Sequence, residues 1–518
     1  MAWFDDANFY HIYPLGLCGA PSENDYGEPV HRLNALNPWI EHMKSLGCNA
    51  LYIGPLFESK SHGYDTTDYH KLDSRLGTND DLKIFVKDCH EAGIKVILDG
   101  VFNHVGRDFF AFKDVKENRE NSIYKDWFCN VNFGGDNEYQ DGFSYDNWGG
   151  HNLLVKLNQR HPDVQNYICD AIRMWVKEFD IDGLRLDTAD VLDFDFMKVL
   201  RRLANEVKED FWLMGEVIHG DYTYWVNEEM LHSVTDYNLH KALFSGHNDH
   251  NYFEIAHTVK RIYDMGLNHP WGRKLYNFVD NHDVERLHTR LQNKEHFIPV
   301  HILLYTLPGI PSIYYGSEFG IEGNKESHSD ATLRPYISLE DHKDAIQNNP
   351  YTKLIATLGK VRLETLTLRE GDYHELQLTN RQYVFERVLN NHRVIVAVNN
   401  DDNSYDFNVP VEGNGNYIGI LHNQKRNIEN NCLSFNIPGN SGEIWIPEGM
   451  VEEPSQEVIE EKPMIVNKDR PYEEMSIEEL QAIILEKLSN NGLVTEQMRK
   501  DVAENVWKDS LINWIKSF

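Results

Sequence analysis

Four short segments of this chain end apolar runs in ionisable side chains. They are Val96-Ile97-Leu98-Asp99-Gly100-Val101-Phe102-Asn103-His104, Asp182-Gly183-Leu184-Arg185-Leu186-Asp187, Leu213-Met214-Gly215-Glu216-Val217 and Phe278-Val279-Asp280-Asn281-His282-Asp283. An apolar run closing on charge reads as a buried parallel strand whose carboxyl end carries chemistry. Two carboxylates on neighbouring strands, with a third nearby, are the equipment for cleaving a glycosidic bond. Cleavage with retention needs a nucleophile and an acid about 5 Å apart, and adjacent strands lie about 4.8 Å apart. Asp187 and Glu216 can therefore flank one bond. Arg185, two residues before Asp187, points the same way on a strand and would keep that carboxylate ionised. Glu216 has to carry a proton part of the time, which burial and negative neighbours would supply.

These residues need a frame. Eight strand-like segments recur, at Phe9–Tyr13, Ala50–Gly54, Lys95–Val101, Gly183–Asp187, Trp212–Val217, Ser233–Asp236, Leu275–Val279 and Ser312–Tyr315. Helical patterns lie between most of them. Pro38–Leu46 is one, and Asn79–Ala92 is another, with Leu82, Phe85, Val86 and Cys89 on one face. Val164–Phe179 places Tyr167, Ile168, Ala171, Trp175 and Val176 at helical spacing. Alternating β and α, eight times over, predicts an α/β fold built on a (β/α)8 TIM barrel. Its expected extent is residues 1–104 and 162–365.

Val105–His161 is too long for an ordinary βα loop and is rich in Asn, Asp, Gly and aromatics. It is expected to be an inserted domain (105–161) after strand 3, walling the cleft. From 366 to 447, short β runs at Glu375–Leu378, Tyr383–Val388, Arg393–Asn399, Tyr405–Val409 and Glu443–Ile446 predict a C-terminal antiparallel β-sandwich. An acidic, Pro-bearing linker (448–474) leads to a short helical extension (475–518). That extension opens on the capping box Ser476-Ile477-Glu478-Glu479 and includes a second helix over Thr495–Lys516.

Composition narrows the partners. With 50 Lys and Arg against 82 Asp and Glu, the net charge is −32, which argues against nucleic acid and anionic membranes and fits a neutral saccharide. No apolar run is long enough to span a bilayer, and Met-Ala-Trp-Phe-Asp-Asp-Ala offers neither basic nor apolar leader regions. Six scattered cysteines without a CxxC pair suit thiols in a reducing cytoplasm.

The four segments, in this order and spacing, resemble the signature regions of the α-amylase family of glycoside hydrolases, a likeness covering about residues 1–447. It implies a retaining hydrolase of α-1,4-glucosidic bonds in malto-oligosaccharides, with pullulan and cyclodextrins as further substrates, acting through a covalent glycosyl-enzyme. Asp187 would be the nucleophile, Glu216 the general acid/base, and Asp283 the third carboxylate, orienting ring hydroxyls. His104 and His282 resemble the family's hydroxyl-holding histidines. Tyr64 resembles its stacking tyrosine, with His62 beside it, and Asp330 and Arg334 resemble a pair gripping the next sugar. Asp99 fits a structural ion pair with a barrel arginine, and His219 is the acceptor-side candidate.

No cofactor is required for this chemistry. Asn103 resembles a residue that often helps bind a structural calcium in the family, but no calcium-type cluster of oxygens accompanies it, so calcium stays open. Leu154-Val155-Lys156-Leu157-Asn158 resembles the MPKLN-type segment of neopullulanases, cyclomaltodextrinases and maltogenic amylases, departing at the Met-Pro. Thr188-Ala189-Asp190-Val191 also departs from their usual Ala-Asn-Glu. The alternatives are an α-glucan transferase of the same family, or a non-catalytic barrel used for carbohydrate binding, against which the intact Asp187, Glu216 and Asp283 count. The sequence leaves monomer and homodimer equally open.

Overall fold

The structure, a computed structural model, describes residues 2–327, 329–412 and 415–449, together with Pro471, Tyr472, Ile477, Leu480, Gln481, Ile483, Ile484, Leu511, Ile512, Ile515 and Lys516. All eight expected barrel strands are present: β1 (Phe9–Ile12), β2 (Ala50–Ile53), β3 (Lys95–Gly100), β4 (Gly183–Leu186), β5 (Trp212–Gly215), β6 (Ser233–Val234), β7 (Tyr276–Phe278) and β8 (Ile310–Tyr314). Every neighbouring pair is parallel, in the order β6-β5-β4-β3-β2-β1-β8-β7. A parallel bridge from Thr235 to Tyr276 closes the ring.

The barrel interior is filled, not hollow. Phe9, Tyr52, Ile97, Trp212, Met214, Tyr276, Phe278 and Ile310 interdigitate there, with Phe9 stacked on Trp212 at 5.2 Å. Gly183 is required in β4, since a Cβ there would come within 2.5 Å of the Trp212 carbonyl oxygen. Outside the ring, the helix Asn79–Glu91 buries Leu82, Phe85, Val86 and Cys89, the face its periodicity predicts. The helix Pro162–Phe179 buries Ile168, Ala171 and Trp175, while Tyr167 and Val176 stay half-exposed at its edge. Trp175 stacks on Phe57 at 4.2 Å. Among the described residues, no helix is long and apolar enough to cross a membrane, and all six cysteines are free.

After β3 the chain turns outward. His104–Gly106 pairs with His151–Lys156, which in turn pairs with Asn147–Trp148. With the helix Phe110–Asn118 these strands enclose Phe112, Phe128, Phe143 and Tyr145. The Leu154–Lys156 part of the MPKLN-like segment is thus a strand laid against the exit of β3.

The C-terminal domain has eight antiparallel strands, not five. Those anticipated lie within Asp372–Leu378, Gln382–Leu389, His392–Asn399, Tyr405–Pro410 and Ser441–Pro447. Asn416–Gly419, Gln424–Glu429 and Cys432–Ile437 are additional. The extra strands face water on one side and read as polar. The inner strands are apolar on both faces, Val384, Ile395, Ala397 and Trp445 filling the sandwich and Tyr383, Phe385, Val396 and Ile444 joining the core shared with the barrel.

Residues Met1–Val451 form one compact unit and Glu452–Phe518 a second. In the second, Leu480, Ile483, Ile484, Leu511, Ile512 and Ile515 pack into a core of their own. Most of the expected 448–474 linker, the capping residue Ser476, and Val502, Val506 and Trp514 of the expected last helix lie outside the described residues.

Candidate active site

Register places the chemistry. Met214 pairs with Arg185, Gly215 with Leu186, and Asp99 with Arg185. Asp187 and Glu216 therefore leave β4 and β5 at the same height, held by Asp187 N–H to the Gly100 carbonyl (3.1 Å) and Glu216 N–H to the Leu186 carbonyl (2.9 Å). One guanidinium gathers the acids. Arg185 Nη1 contacts Asp99 Oδ1 and Asp187 Oδ1, both at 2.9 Å, and Nη2 contacts Glu216 Oε2 at 2.8 Å. Asp187 and Glu216 keep 5% and 7% of their surface in contact with solvent, at the mouth of the barrel. Asp99 is sealed beneath, receiving the hydroxyls of Tyr52 (2.9 Å) and Tyr64 (3.2 Å). It is the structural ion pair its sequence position suggested.

The expected Arg185–Asp187 contact is present, and it is one of three. Arg185 does not serve Asp187 alone but is divided among three carboxylates. Burial, opposed by Arg185 and reinforced by Glu216, Asp99 and Asp283, pushes the Asp187 carboxyl well above the usual range. Thr188 contributes as well. Its backbone is left-handed (φ 45°), which costs a β-branched residue about 1–3 kcal/mol. That turn aims its N–H at Glu216 Oε2 (3.0 Å) and its hydroxyl at Asp187 Oδ2 (3.3 Å).

Asp283, just past β7, faces a different environment. Burial, which would raise its carboxyl, is outweighed by His282, Arg334 and Arg185, and the group lies well below the usual range. His282 Nε2 sits 2.9 Å from Asp283 Oδ2 and 2.5 Å from the Tyr64 hydroxyl, with the Tyr64 ring stacked on the imidazole at 5.6 Å. His62 stands at the rim, its Nδ1 accepting the Tyr64 N–H (3.2 Å). Arg334 Nη2 bridges Asp283 (2.8 Å) and Asp330 (3.0 Å), and its guanidinium lies over Tyr13. The i, i+4 pair is real, and Arg334 ties it to the third carboxylate. All ten residues anticipated for catalysis and substrate binding thus meet in one mouth.

His104 Nε2 lies 4.0 Å from Asp187 Oδ2. Burial pushes this imidazole down to about 3, so it is neutral. Its Nδ1 faces the Asn103 amide nitrogen at 3.1 Å. That nitrogen can only donate, so the ring proton belongs on Nε2, aimed into the site.

The Asn103 amide is engaged through both of its ends. Asn103 Oδ1 is met by the Gln159 amide (3.4 Å) and Nδ2 is spent on His104. Among the described residues no cluster of three His, Cys, Asp or Glu side chains could hold a metal. In the first loop, Asn24 hydrogen-bonds to Glu58, Asp73, Ser59 and Ser74.

Sequence reasoning missed three contributors. Trp148, from the inserted domain, brings a part-exposed ring to 5.8 Å from that of His104. Tyr237, opening the helix after β6, reaches Glu216 Oε1 at 3.4 Å. Asn281, inside the fourth motif, touches the Tyr237 hydroxyl at 3.2 Å. Only Asn281 had a local signal, its place between two ionisable motif residues.

The family profile described as the α-amylase catalytic domain matches residues 32–353, and that of an α-amylase C-terminal domain matches 371–445. A cyclomaltodextrinase from a Bacillus species is 32% identical over 424 residues, covering 77% of this chain and 74% of its own. Neopullulanase 2 of Thermoactinomyces vulgaris is 30% identical, covering 81% and 74%. The solved structure of a cyclomaltodextrinase superposes with a TM-score of 0.76 at 27% identity, over 86% of this chain and 78% of that one.

Proposed function

This chain belongs to the α-amylase family of glycoside hydrolases, and from that premise we propose a retaining hydrolase of α-1,4-glucosidic bonds in malto-oligosaccharides. The observation that carries the reading is the shared guanidinium, which presents Asp187 and Glu216 side by side at the open end of the barrel. In the reactive form the proton of the Asp187–Glu216 pair sits on Glu216, with Asp187 held as a carboxylate by Arg185 Nη1. In the first step Glu216 gives that proton to the glycosidic oxygen as the C–O bond breaks, and Asp187 bonds to the anomeric carbon. In the second, Glu216 takes a proton from water, whose oxygen displaces Asp187. Asp283, with Arg334 and His282, holds ring hydroxyls at the distorted sugar. His104 supplies a neutral N–H donor, Tyr64 a stacking face beside His62, and Asp330 with Arg334 a grip on the next sugar. No metal takes part in these steps.

Cyclodextrins and pullulan are proposed as further substrates because the relatives named for them match over most of this chain. Cytoplasmic location is proposed on the six free thiols. A transferase reading has its own support. Val191 and Ile218, which follow Asp187 and Glu216 by four and two residues, are 44% and 38% exposed and offer an apolar acceptor surface that favours a sugar over water.

The test is a product profile on maltotriose, pullulan, β-cyclodextrin and soluble starch, with NMR of the first anomer released. The α-anomer appears first, and Asp187→Asn lowers the rate by at least about 10³-fold. Initial release of the β-anomer, or equal rates for wild type and variant, overturns the mechanism. Starch degraded fastest overturns the small-substrate preference. Longer products at high maltotriose favour the transferase.

A further inference from the structure

Glu216 has two carboxylate oxygens in unlike surroundings. Oε2 receives Arg185 Nη2 and the Thr188 N–H. Among the described residues, the hydrogen-bond partner of Oε1 is the Tyr237 hydroxyl, at 3.4 Å. The direction of that contact can be deduced. Asn281 Oδ1 accepts two backbone N–H groups, those of Asp283 (2.8 Å) and Val284 (3.1 Å). An atom receiving two N–H donors is the amide oxygen, so the atom 3.2 Å from the Tyr237 hydroxyl is the donating NH2. The phenol oxygen accepts there, and its own hydrogen is left for Glu216 Oε1. Tyr237 is well fixed. It opens a helix capped by Asp236, which accepts the Leu239 N–H, and its ring packs edge-on against Phe278 at 4.9 Å.

We propose that Tyr237, oriented by Asn281, is a positioning residue that stabilises the ionised form of Glu216 and thereby sets the upper limb of the enzyme's pH profile. The proposal rests on the reading of Glu216 as acid/base. After protonating the leaving oxygen, Glu216 is a carboxylate for the life of the glycosyl-enzyme, and a donor on Oε1 holds it in that state and in that orientation. Tyr237 keeps its own proton throughout. Burial, with Glu216 and Asp283 beside it, pushes its phenol well above the usual range. Charged neighbours of Glu216 are Arg185 and Asp187 from β4. Asp283 from beyond β7 acts with Glu216 on Tyr237, and Asp190 meets Glu216 through its backbone N–H, which donates to the Glu216 carbonyl at 3.3 Å. Asp236, on the helix of Tyr237, is pushed up by burial to about 7 and remains in every variant below.

The experiment is kcat/KM against pH on maltotriose for wild type, Tyr237→Phe, Asn281→Ala and the double variant, with thermal unfolding to confirm folding. Tyr237→Phe keeps the ring and loses the donor, so the carboxylate is disfavoured. Its basic limb moves up by about one pH unit, the low end for a hydrogen bond to a charged group. Asn281→Ala, which frees the hydroxyl to turn away, moves it the same way, and the double variant no further than the larger single, because both substitutions act through the one Tyr237–Glu216 hydrogen bond. An unmoved basic limb in a folded Tyr237→Phe, or additive shifts in the double variant, overturns the proposal. If wild type cleaves maltotriose and Asp187→Asn does not, such a result sinks only the role of Tyr237. A wild type silent on maltotriose removes both readings.

Discussion

At Asp187 and Asp283 one residue type is pushed in opposite directions by its surroundings. Asp187 is raised, burial dominating, so its folded value lies above the unfolded one near 3.9. Its contribution to stability is complete below that unfolded value and is lost as pH rises through the folded one. Asp283 is lowered, so its contribution is present above the unfolded value and is lost as pH falls through the folded one. Asp187→Asn is therefore expected to raise Tm at pH 7 by about 2–4 °C, the shift for roughly 1 kcal/mol in a large domain, and to flatten the gain on acidification. Asp283→Asn, which leaves Arg334 with one of its two carboxylate partners, is expected to lower Tm by a similar amount or more. Calorimetry of both variants between pH 4 and 8 checks the pair, and equal signs would refute the assignment. At this scale residue types were legible in the motifs, but their partners were not. Nothing local in the sequence reveals that the Asn103 amide nitrogen faces His104.

Elements position these groups through their ends. The inserted domain leaves the barrel at Gly106, where an added Cβ would meet the Asp65 carbonyl oxygen at 2.3 Å. Asp65 belongs to the loop bearing His62 and Tyr64 and accepts the Ser61 N–H within it. Gly106→Ala must push that loop and the insert apart. The expected outcome is a loss of about 1–3 kcal/mol in stability, typical of overpacking, with KM for maltotriose raised several-fold and kcat changed less. Steady-state kinetics decide it, and an unchanged KM would show that the loop does not shape the sugar site. Strands buried on both faces were readable as apolar runs, whereas Gln424–Glu429 alternates half-exposed and exposed residues and reads as a loop. Burial on one side leaves half a pattern.

At the scale of the whole molecule, Met1–Val451 and Glu452–Phe518 each have their own apolar core. A chain ended at Val451 is expected to keep kcat/KM on maltotriose within about twofold and its main unfolding transition within about 2 °C, as independent compact units behave. A large loss of either would show that the second unit supports the first. What the sequence by itself determined was the order and identity of the barrel strands and the acids that end them. Apolar runs, helical spacing and strand-end charge are set by neighbours along the chain. Only the tertiary structure decided that Arg185 is shared among three acids, that Asn103 serves a histidine, and that Tyr237 and Asn281 complete the surroundings of Glu216. Those contacts join residues on different elements, distant in the chain, and are made when the barrel closes.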